Sequence, residues 1–189
     1  MAIAHVLKME EKKGYTVKDI YALPEGKRAE LIDGHWYDMA APSRVHQDII
    51  SILTWRLNDY ISKKGGNCRV YPAPFAVFLS HDNKNYLEPD VSVVCDPNKL
   101  SDRGCEGAPD LVMEVVSPST MRRDYALKLF KYRAAGVKEY WIINPETRAI
   151  NTYLFSTDEE EEIAGQITFD EKLVSGLYPD FEIVLADLL

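Results

Sequence analysis

The sequence lacks any apolar run approaching the roughly 20 residues that a membrane-spanning helix requires. Its N-terminus is short and soon followed by charged residues, which is unlike a secretory signal. The three cysteines, Cys68, Cys95 and Cys105, form no C-x-x-C pair and leave one over in any pairing. Reduced thiols in a cytoplasmic protein without membrane contact are therefore the expectation.

Basic residues are also few, since 22 Lys and Arg stand against 30 Asp and Glu, a formal net charge of −8. This balance disfavours a protein that coats DNA through bulk charge, but a few basic residues and bound metal ions can still contact nucleic acid locally. Part of the acidity lies in the run from Asp158 to Glu162, for which we predict a solvated hairpin tip.

Several motifs of catalysis and cofactor binding are missing as well. The sequence contains no G-x-G-x-x-G, P-loop or Cys/His zinc pattern. Ser117 and Ser119 have no His or Asp at a recognisable spacing, which argues against a serine nucleophile. Classes that depend on these motifs are disfavoured.

What is present predicts one mixed α/β domain. With 189 residues, 46% of them hydrophobic, the chain is long enough for a single well-packed domain, predicted over residues 15–189 after an N-terminal arm of residues 1–14. Apolar runs indicate a hairpin and helix, then strand–strand–helix–strand, then further hairpins, around a twisted central sheet flanked by two main helices.

Capping and turn residues set the expected bounds of these elements. Thr16 caps a short helix that ends before Pro24, and Gly34 lies in a hairpin turn. Ser43 caps a helix over residues 44–63, and Ser119 caps a helix of about 16 residues that stops at Gly136. The predicted strands are Arg69–Tyr71, Phe75–Leu79, Asp90–Cys95, Leu111–Val116, Lys138–Ile143, Ala149–Phe155 and residues near 161–168.

Two carboxylates in the central strands are the main candidates for chemistry. Asp90 opens one apolar run, and alternation along the next places Glu114 on one face with Val112 and Val116. Burying an ionised carboxylate is unfavourable unless a cation compensates, and a divalent metal between the two would do so. The alternative is that Asp90 caps a turn while Glu114 lies on the solvated face of an edge strand.

The helix after Glu114 allows two interpretations. At about 100° per residue, Leu127, Phe130 and Ala134 share a predicted core face, whereas Asp124, Lys128 and Lys131 lie on the polar side. A lysine directed back toward the carboxylates could position a water or offset charge on a phosphate. The helix pattern alone favours the other interpretation, an exposed i,i+4 pair of Asp124 and Lys128 worth only tenths of a kcal/mol.

His46, in the first turn of the long helix, and Glu30, in the preceding hairpin, are accessory candidates. Either could be a further metal ligand or an acid–base group, although a lone histidine near a helix start is more often structural.

Several segments together resemble the Uma-type family of restriction endonucleases, within the PD-(D/E)xK nuclease superfamily. The resemblance covers the chain from about Tyr15 to Leu189. It implies a restriction-endonuclease-like core, with a central mixed sheet flanked by helices and extra N- and C-terminal hairpins, and Mg²⁺- or Mn²⁺-dependent hydrolysis of DNA. The matching segments are Glu30–Gly34, His46, Glu88–Val94, Pro109–Thr120, Lys128–Tyr132 and Gly136–Pro145.

The resemblance also implies roles for individual residues. Asp90 matches the aspartate of the Pro-Asp motif and Glu114 the second acid, so both are expected to hold the metal, together with the Val115 carbonyl. The sequence departs from the superfamily pattern at Val116, where a lysine is expected. The basic group of the family matches Lys128 on the following helix, with Lys131, less than one turn further on, as the alternative.

The expected partner is DNA, with Arg122 and Arg123 as candidate nucleic-acid contacts, and a homodimer is favoured because a duplex has two strands to cut. The competing hypothesis is a nuclease-fold protein that binds nucleic acid or a protein partner without cutting it. Glycoside hydrolysis by paired carboxylates is disfavoured because Trp36, Trp55 and Trp141 are scattered along the sequence.

Overall fold

The structure is a computed structural model that describes residues 14–80, 82–155, 161–178 and 180–189. The α-helices are α1 (Val17–Tyr21), α2 (Arg44–Lys63) and α3 (Leu129–Ala135), and a π-helical turn, Arg123–Lys128, precedes α3. The strands are β1 (Ala29–Ile32), β2 (His35–Asp38), β3 (Arg69–Pro72), β4 (Val77–Phe78), β5 (Val91–Val94), β6 (Leu100–Ser101), β7 (Gly104–Glu106), β8 (Leu111–Val115), β9 (Glu139–Asn144), β10 (Ala149–Phe155), β11 (Glu161–Thr168), β12 (Lys172–Val174) and β13 (Glu182–Val184).

Six strands form the main sheet in the order β11-β10-β9-β8-β5-β3. Strands β8 and β9 run parallel, while the other neighbours are antiparallel, so the sheet is mixed as expected. Because β8 lies between β5 and β9, the alternative that placed Glu114 on an edge strand is wrong.

The N-terminal elements follow their local signals closely. Strands β1 and β2 form the predicted hairpin, and its turn residues Asp33 and Gly34 have φ angles of 52° and 77°. Two central residues with positive φ suit the right-handed twist of a two-residue hairpin, which explains the glycine. The Asp19 carboxylate accepts hydrogen bonds from the amide and hydroxyl of Thr16, closing the capping box of α1.

Helix α2 covers one face of the main sheet, with the bounds that the sequence predicts. The Ser43 hydroxyl accepts a hydrogen bond of 3.3 Å from the amide of His46, as an N-cap should. Buried side chains of α2 such as Leu53 and Leu57 pack in one cluster with Met113 and Val115 of β8.

The opposite face of β8 packs against a different cluster. Val112 and Val116 lie there with Tyr132 of α3 and Tyr140 of β9. The predicted alternation along β8 is therefore confirmed, and Glu114 projects toward the side covered by the π-helical turn and α3.

The segment after β8 is helical but departs from the predicted single α-helix. It ends as expected at Gly136, whose φ of 91° is left-handed. The predicted Ser119 cap is wrong, because the helix begins at Met121 and the Ser119 hydroxyl lies 3.0 Å from that of Ser117. The π-helical turn follows within this segment.

The expectation of three reduced thiols is also wrong. Cys68 and Cys95 form a disulfide with an S–S distance of 2.06 Å, while Cys105 is buried and free. The β3–β5 register pairs Arg69 with Val94, so the two bonded cysteines stand opposite each other just beyond the strand ends. A cross-strand pair of this kind cannot be recognised from cysteine spacing, since its register is set by the sheet.

Additional hairpins lie at the C-terminal side, where β10 pairs with β11 and β12 with β13. The predicted N-terminal arm lies almost entirely outside the described residues, as do Asp158, Glu159 and Glu160 of the predicted acidic tip. Among the described helices, none is both long and apolar enough to cross a membrane. The boundaries of the single domain stay a prediction.

Candidate active site

Asp90 and Glu114 are brought together by the register of β5 and β8. Val91 pairs with Met113, so Asp90, one residue before β5, stands opposite Glu114 on the same face. The Asp90 Oδ2 accepts a hydrogen bond of 2.7 Å from the Val115 amide. Because the amide and carbonyl of a strand residue point to the same edge, the Val115 carbonyl also points toward the Asp90 side.

Glu114 is buried, and one of its carboxylate oxygens accepts two hydrogen bonds. Its Oε1 accepts hydrogen bonds of 2.8 Å from Lys128 Nζ and of 2.8 Å from the Tyr132 hydroxyl. Burial raises the pKa of Glu114 well above its ordinary value; Lys128 opposes the rise, and the charges of Asp124, Asp90 and Glu30 add to it. The carboxyl therefore lies in surroundings that favour another cation.

The π-helical turn directs its charged residues inward, contrary to the predicted polar face. Asp124 and Lys128 are each 2% exposed and Tyr132 is fully buried, whereas Phe130, assigned to the core, is 64% exposed. Residues four apart share the buried side, and their charges are paired within the site. The interpretation of Asp124 and Lys128 as an exposed ion pair is wrong, because hydrophobicity alone cannot show that carboxylates elsewhere compensate a buried lysine.

Lys128 links Glu114 to the N-terminal hairpin. Its Nζ lies 2.8 Å from Glu30 Oε1, 2.8 Å from Glu114 Oε1 and 3.5 Å from Asp124 Oδ1. Burial lowers the pKa of Lys128, but the charges of Glu114, Glu30 and Asp124 outweigh burial and raise it above its ordinary value. The lysine is thus a cation near neutral pH.

Carboxylate oxygens outnumber their donors in this cluster. Glu30 is 0% exposed, and its Oε1 also accepts a hydrogen bond of 3.1 Å from the Glu88 amide. Its Oε2 and the Asp124 Oδ1 are buried without a hydrogen-bond partner. Buried polar atoms are normally satisfied. The two oxygens lie 3.5 and 3.8 Å from the Arg123 guanidinium, beyond ordinary hydrogen-bond distance, which indicates room for a further cation or donor.

The structure separates the two lysine candidates. Lys131 Nζ lies 2.5 Å from Asp33 Oδ1, at the turn of the N-terminal hairpin. Lys128, and not Lys131, contacts Glu114.

His46 reaches the other carboxylate. Its Nε2 lies 3.2 Å from Asp90 Oδ2, and its Nδ1 is buried without a hydrogen-bond partner. The histidine therefore fixes the position of Asp90 from the start of α2.

A second layer of contacts was missed by sequence reasoning. Arg28 donates from Nε to Glu88 Oε2 at 2.8 Å and also pairs with it through Nη2. The Tyr86 hydroxyl donates to Glu88 Oε1 at 2.7 Å. Glu88 and Tyr132 occur within the motifs Glu88–Val94 and Lys128–Tyr132, which is the only signal that pointed to them.

The two arginine candidates also differ in placement. Arg122 is exposed, whereas Arg123 lines the same cavity as Asp90, Glu114 and Lys128. This cavity has a volume of about 440 Å³. Its wall also includes loop residues 39–43 and Ser117, Ser119 and Thr120.

Within the described ranges, no three His, Cys, Asp or Glu side chains are arranged as a ready metal-binding group. The closest arrangement is two opposed carboxylates, Asp90 and Glu114, with the Val115 carbonyl on the same side. Mg²⁺ commonly binds through one or two carboxylates and keeps several waters, so this donor set fits such an ion.

A mixed sheet with opposed acids on two adjacent strands and a buried lysine on the next helical segment is the arrangement expected of a restriction-endonuclease-like protein. The model of the Uma2 family, described as "Putative restriction endonuclease", matches residues 17–185. The chain therefore belongs to the Uma2 family, whose description matches the endonuclease family expected from the sequence.

Two further proteins are similar to this chain. An uncharacterised protein of Synechocystis sp., slr1290, is 29% identical over 130 residues, which are 67% of this chain and 66% of that relative. A crystal structure titled as a putative nuclease belonging to DUF820, from Anabaena variabilis, superposes with a TM-score of 0.72 at 19% identity. The superposition covers 92% of this chain and 96% of the other, and it establishes the shared fold.

Proposed function

We propose that the protein hydrolyses phosphodiester bonds in DNA with the help of Mg²⁺ or Mn²⁺. The observation that carries the proposal is the excess of buried carboxylate oxygens around Lys128, including the two without a hydrogen-bond partner. Family membership supports the reaction class.

Asp90, Glu114 and the Val115 carbonyl would hold the ion. Hard oxygen donors of this kind suit Mg²⁺ and Mn²⁺. A bound divalent cation would supply Lewis-acid chemistry, making water a better nucleophile at neutral pH and offsetting charge on the phosphate. His46 would keep Asp90 in place through its Nε2 contact, and Glu30 would do the same for Lys128.

Lys128 acts as a positioned cation in this mechanism. Its raised pKa means that it cannot accept a proton from water near neutral pH. It holds Glu114 Oε1 and offsets negative charge as the water oxygen bonds to phosphorus and the bond to the leaving oxygen breaks. Its place on the helix compensates for Val116 at the position where the superfamily carries lysine.

The test is nicking of supercoiled plasmid and cleavage of labelled oligonucleotides with Mg²⁺ or Mn²⁺. Wild type should cut, and Asp90→Ala, Glu114→Ala and Lys128→Ala should each lose about 100-fold or more. Lys131→Ala is the matched control and should cut like wild type. Activity surviving all three site substitutions would refute the site, while metal-independent DNA binding without cutting would favour the competing binding function. The expected homodimer stays a prediction that light scattering can check.

A further inference from the structure

The π-helical turn changes which side chains face the cavity. Arg123 and Lys128 are its first and last residues, five positions apart, and both line the cavity. On an α-helix, residues five apart point about 140° away from each other. The i→i+5 hydrogen bonding of a π-helix brings them to the same side, which explains how Arg123 joins the site.

Arg123 differs from the other two Arg and Lys side chains that line the described cavity wall. Arg28 donates to Glu88, and Lys128 donates to Glu30 and Glu114. The Arg123 Nε, by contrast, is buried and has no hydrogen-bond partner. Its guanidinium therefore keeps hydrogen-bonding capacity that the fold does not use.

Arg123 is nevertheless held in position. Its Cζ lies 5.2 Å from the centre of the Tyr37 ring. Its Nη2 lies 3.5 Å from Glu30 Oε2, and its Nε lies 3.8 Å from Asp124 Oδ1. These distances exceed those of ordinary N–H···O hydrogen bonds, roughly 2.7–3.2 Å, so the carboxylates restrain the guanidinium without satisfying it. The side chain is 15% exposed.

We propose that Arg123 is a phosphate-binding subsite that positions a phosphodiester of the nucleic acid beside Asp90 and Glu114. A planar guanidinium binds phosphate oxygens through two parallel hydrogen bonds, which a lysine cannot reproduce. Ser119 and Thr120 line the same cavity. This inference rests on the proposed function for the identity of its ligand.

The test compares Arg123→Ala and Arg123→Lys with Arg69→Ala, which removes the same charge from an exposed arginine at the start of β3, outside the cavity wall. Binding of a fluorescein-labelled single-stranded DNA is followed by anisotropy, with Ca²⁺ replacing Mg²⁺ to prevent cutting. Arg123→Ala should weaken binding about tenfold and lower the slope of log Kd against log salt by about one. Arg123→Lys should retain the salt slope but recover only part of the affinity, and Arg69→Ala should change the affinity less than twofold.

A purely structural role for Arg123 predicts a different pattern, namely a lower melting temperature with an unchanged salt slope in the molecules that remain folded. That pattern, or DNA binding by Arg123→Ala equal to that of Arg69→Ala, would overturn the subsite. If wild type binds DNA but never cuts it, the proposed function fails while the subsite stands.

If wild type binds no DNA, binding of inorganic phosphate, measured by ³¹P NMR, tests the subsite instead. Phosphate binding by wild type that Arg123→Ala loses would support the subsite. Its absence, or equal binding by both proteins, would overturn it.

Discussion

Two buried glutamates on neighbouring strands, Glu139 and Glu114, differ in the hydrogen-bond donors that surround their carboxylates. Glu139, at the start of β9, accepts hydrogen bonds from Trp141 Nε1 at 2.7 Å, Ser175 Oγ at 2.7 Å and the amides of Gly176 and Leu177 at 3.0 and 3.1 Å. Every one of these donors is neutral, and both Glu139 oxygens are satisfied. The C-terminal segment is thereby fastened to the sheet.

Glu114, on the adjacent strand β8, shares Lys128 with Glu30 and Asp124, and the Arg123 guanidinium lies 3.5 Å from Glu30 and 3.8 Å from Asp124. Two oxygens of this group have no hydrogen-bond partner. Burial of a carboxylate therefore does not by itself indicate chemistry. The two sites differ in the number of donors available to the carboxylate oxygens. Glu139 has a donor for each oxygen, whereas the group around Glu114 has more acceptor oxygens than donors.

The largest expected effect is that of removing Lys128. Lys128→Met keeps the length of the side chain but leaves Glu30 and Glu114 without their shared cation, which should lower the free energy of unfolding by about 3–5 kcal/mol. Urea denaturation without divalent metal measures this change. Lys131→Met breaks only the pair with Asp33, at the protein surface, and should change stability by at most about 1 kcal/mol. Equal losses of stability in Lys128→Met and Lys131→Met would contradict the buried, charge-compensating role of Lys128.

A smaller effect is expected at Glu139, where the role is structural. Glu139→Gln replaces an acceptor with a donor that faces other donors, and should lower the free energy of unfolding by about 2–3 kcal/mol. DNA cleavage per folded molecule should remain that of wild type, measured below the melting temperature. A loss of cleavage without loss of stability would show that Glu139 belongs to the functional site.

The pH dependence of stability should report the raised pKa of Glu114. Because the folded-state pKa of Glu114 is raised, its contribution to stability is fully present below the unfolded pKa and is lost as the pH rises through the folded pKa. Without metal, wild type should therefore lose stability relative to Glu114→Gln from about pH 4.5 upward, by about 1.4 kcal/mol per pH unit. Parallel stability curves for the two proteins would contradict the raised pKa.

Much of the fold was predictable because capping residues, turn residues and local hydrophobic patterns determine it. Ser43 and the Lys63–Gly66 stop signal set α2, and Asp33-Gly34 set the first hairpin. The alternation along β8 placed Glu114 correctly on its face. These features depend on residues that are close in sequence.

The features that sequence reasoning missed depend on partners far along the chain. The inward direction of Lys128 depends on Glu30, 98 residues away, and the disulfide depends on the register of β3 with β5. The donors to Glu139 come from Ser175, Gly176 and Leu177, in the C-terminal segment. Polarity patterns assign charged side chains to the surface, so they fail where distant charges compensate each other inside.

The central claim is that Asp90 and Glu114 together hold a divalent metal ion. Titration with Mn²⁺, followed by electron paramagnetic resonance, tests it most directly. Wild type should bind Mn²⁺, and Asp90→Asn and Glu114→Gln should each abolish or strongly weaken that binding. Glu139→Gln, which alters the satisfied carboxylate on the neighbouring strand, should bind as wild type does. Absence of Mn²⁺ binding by wild type, or undiminished binding by Asp90→Asn and Glu114→Gln, would contradict the account.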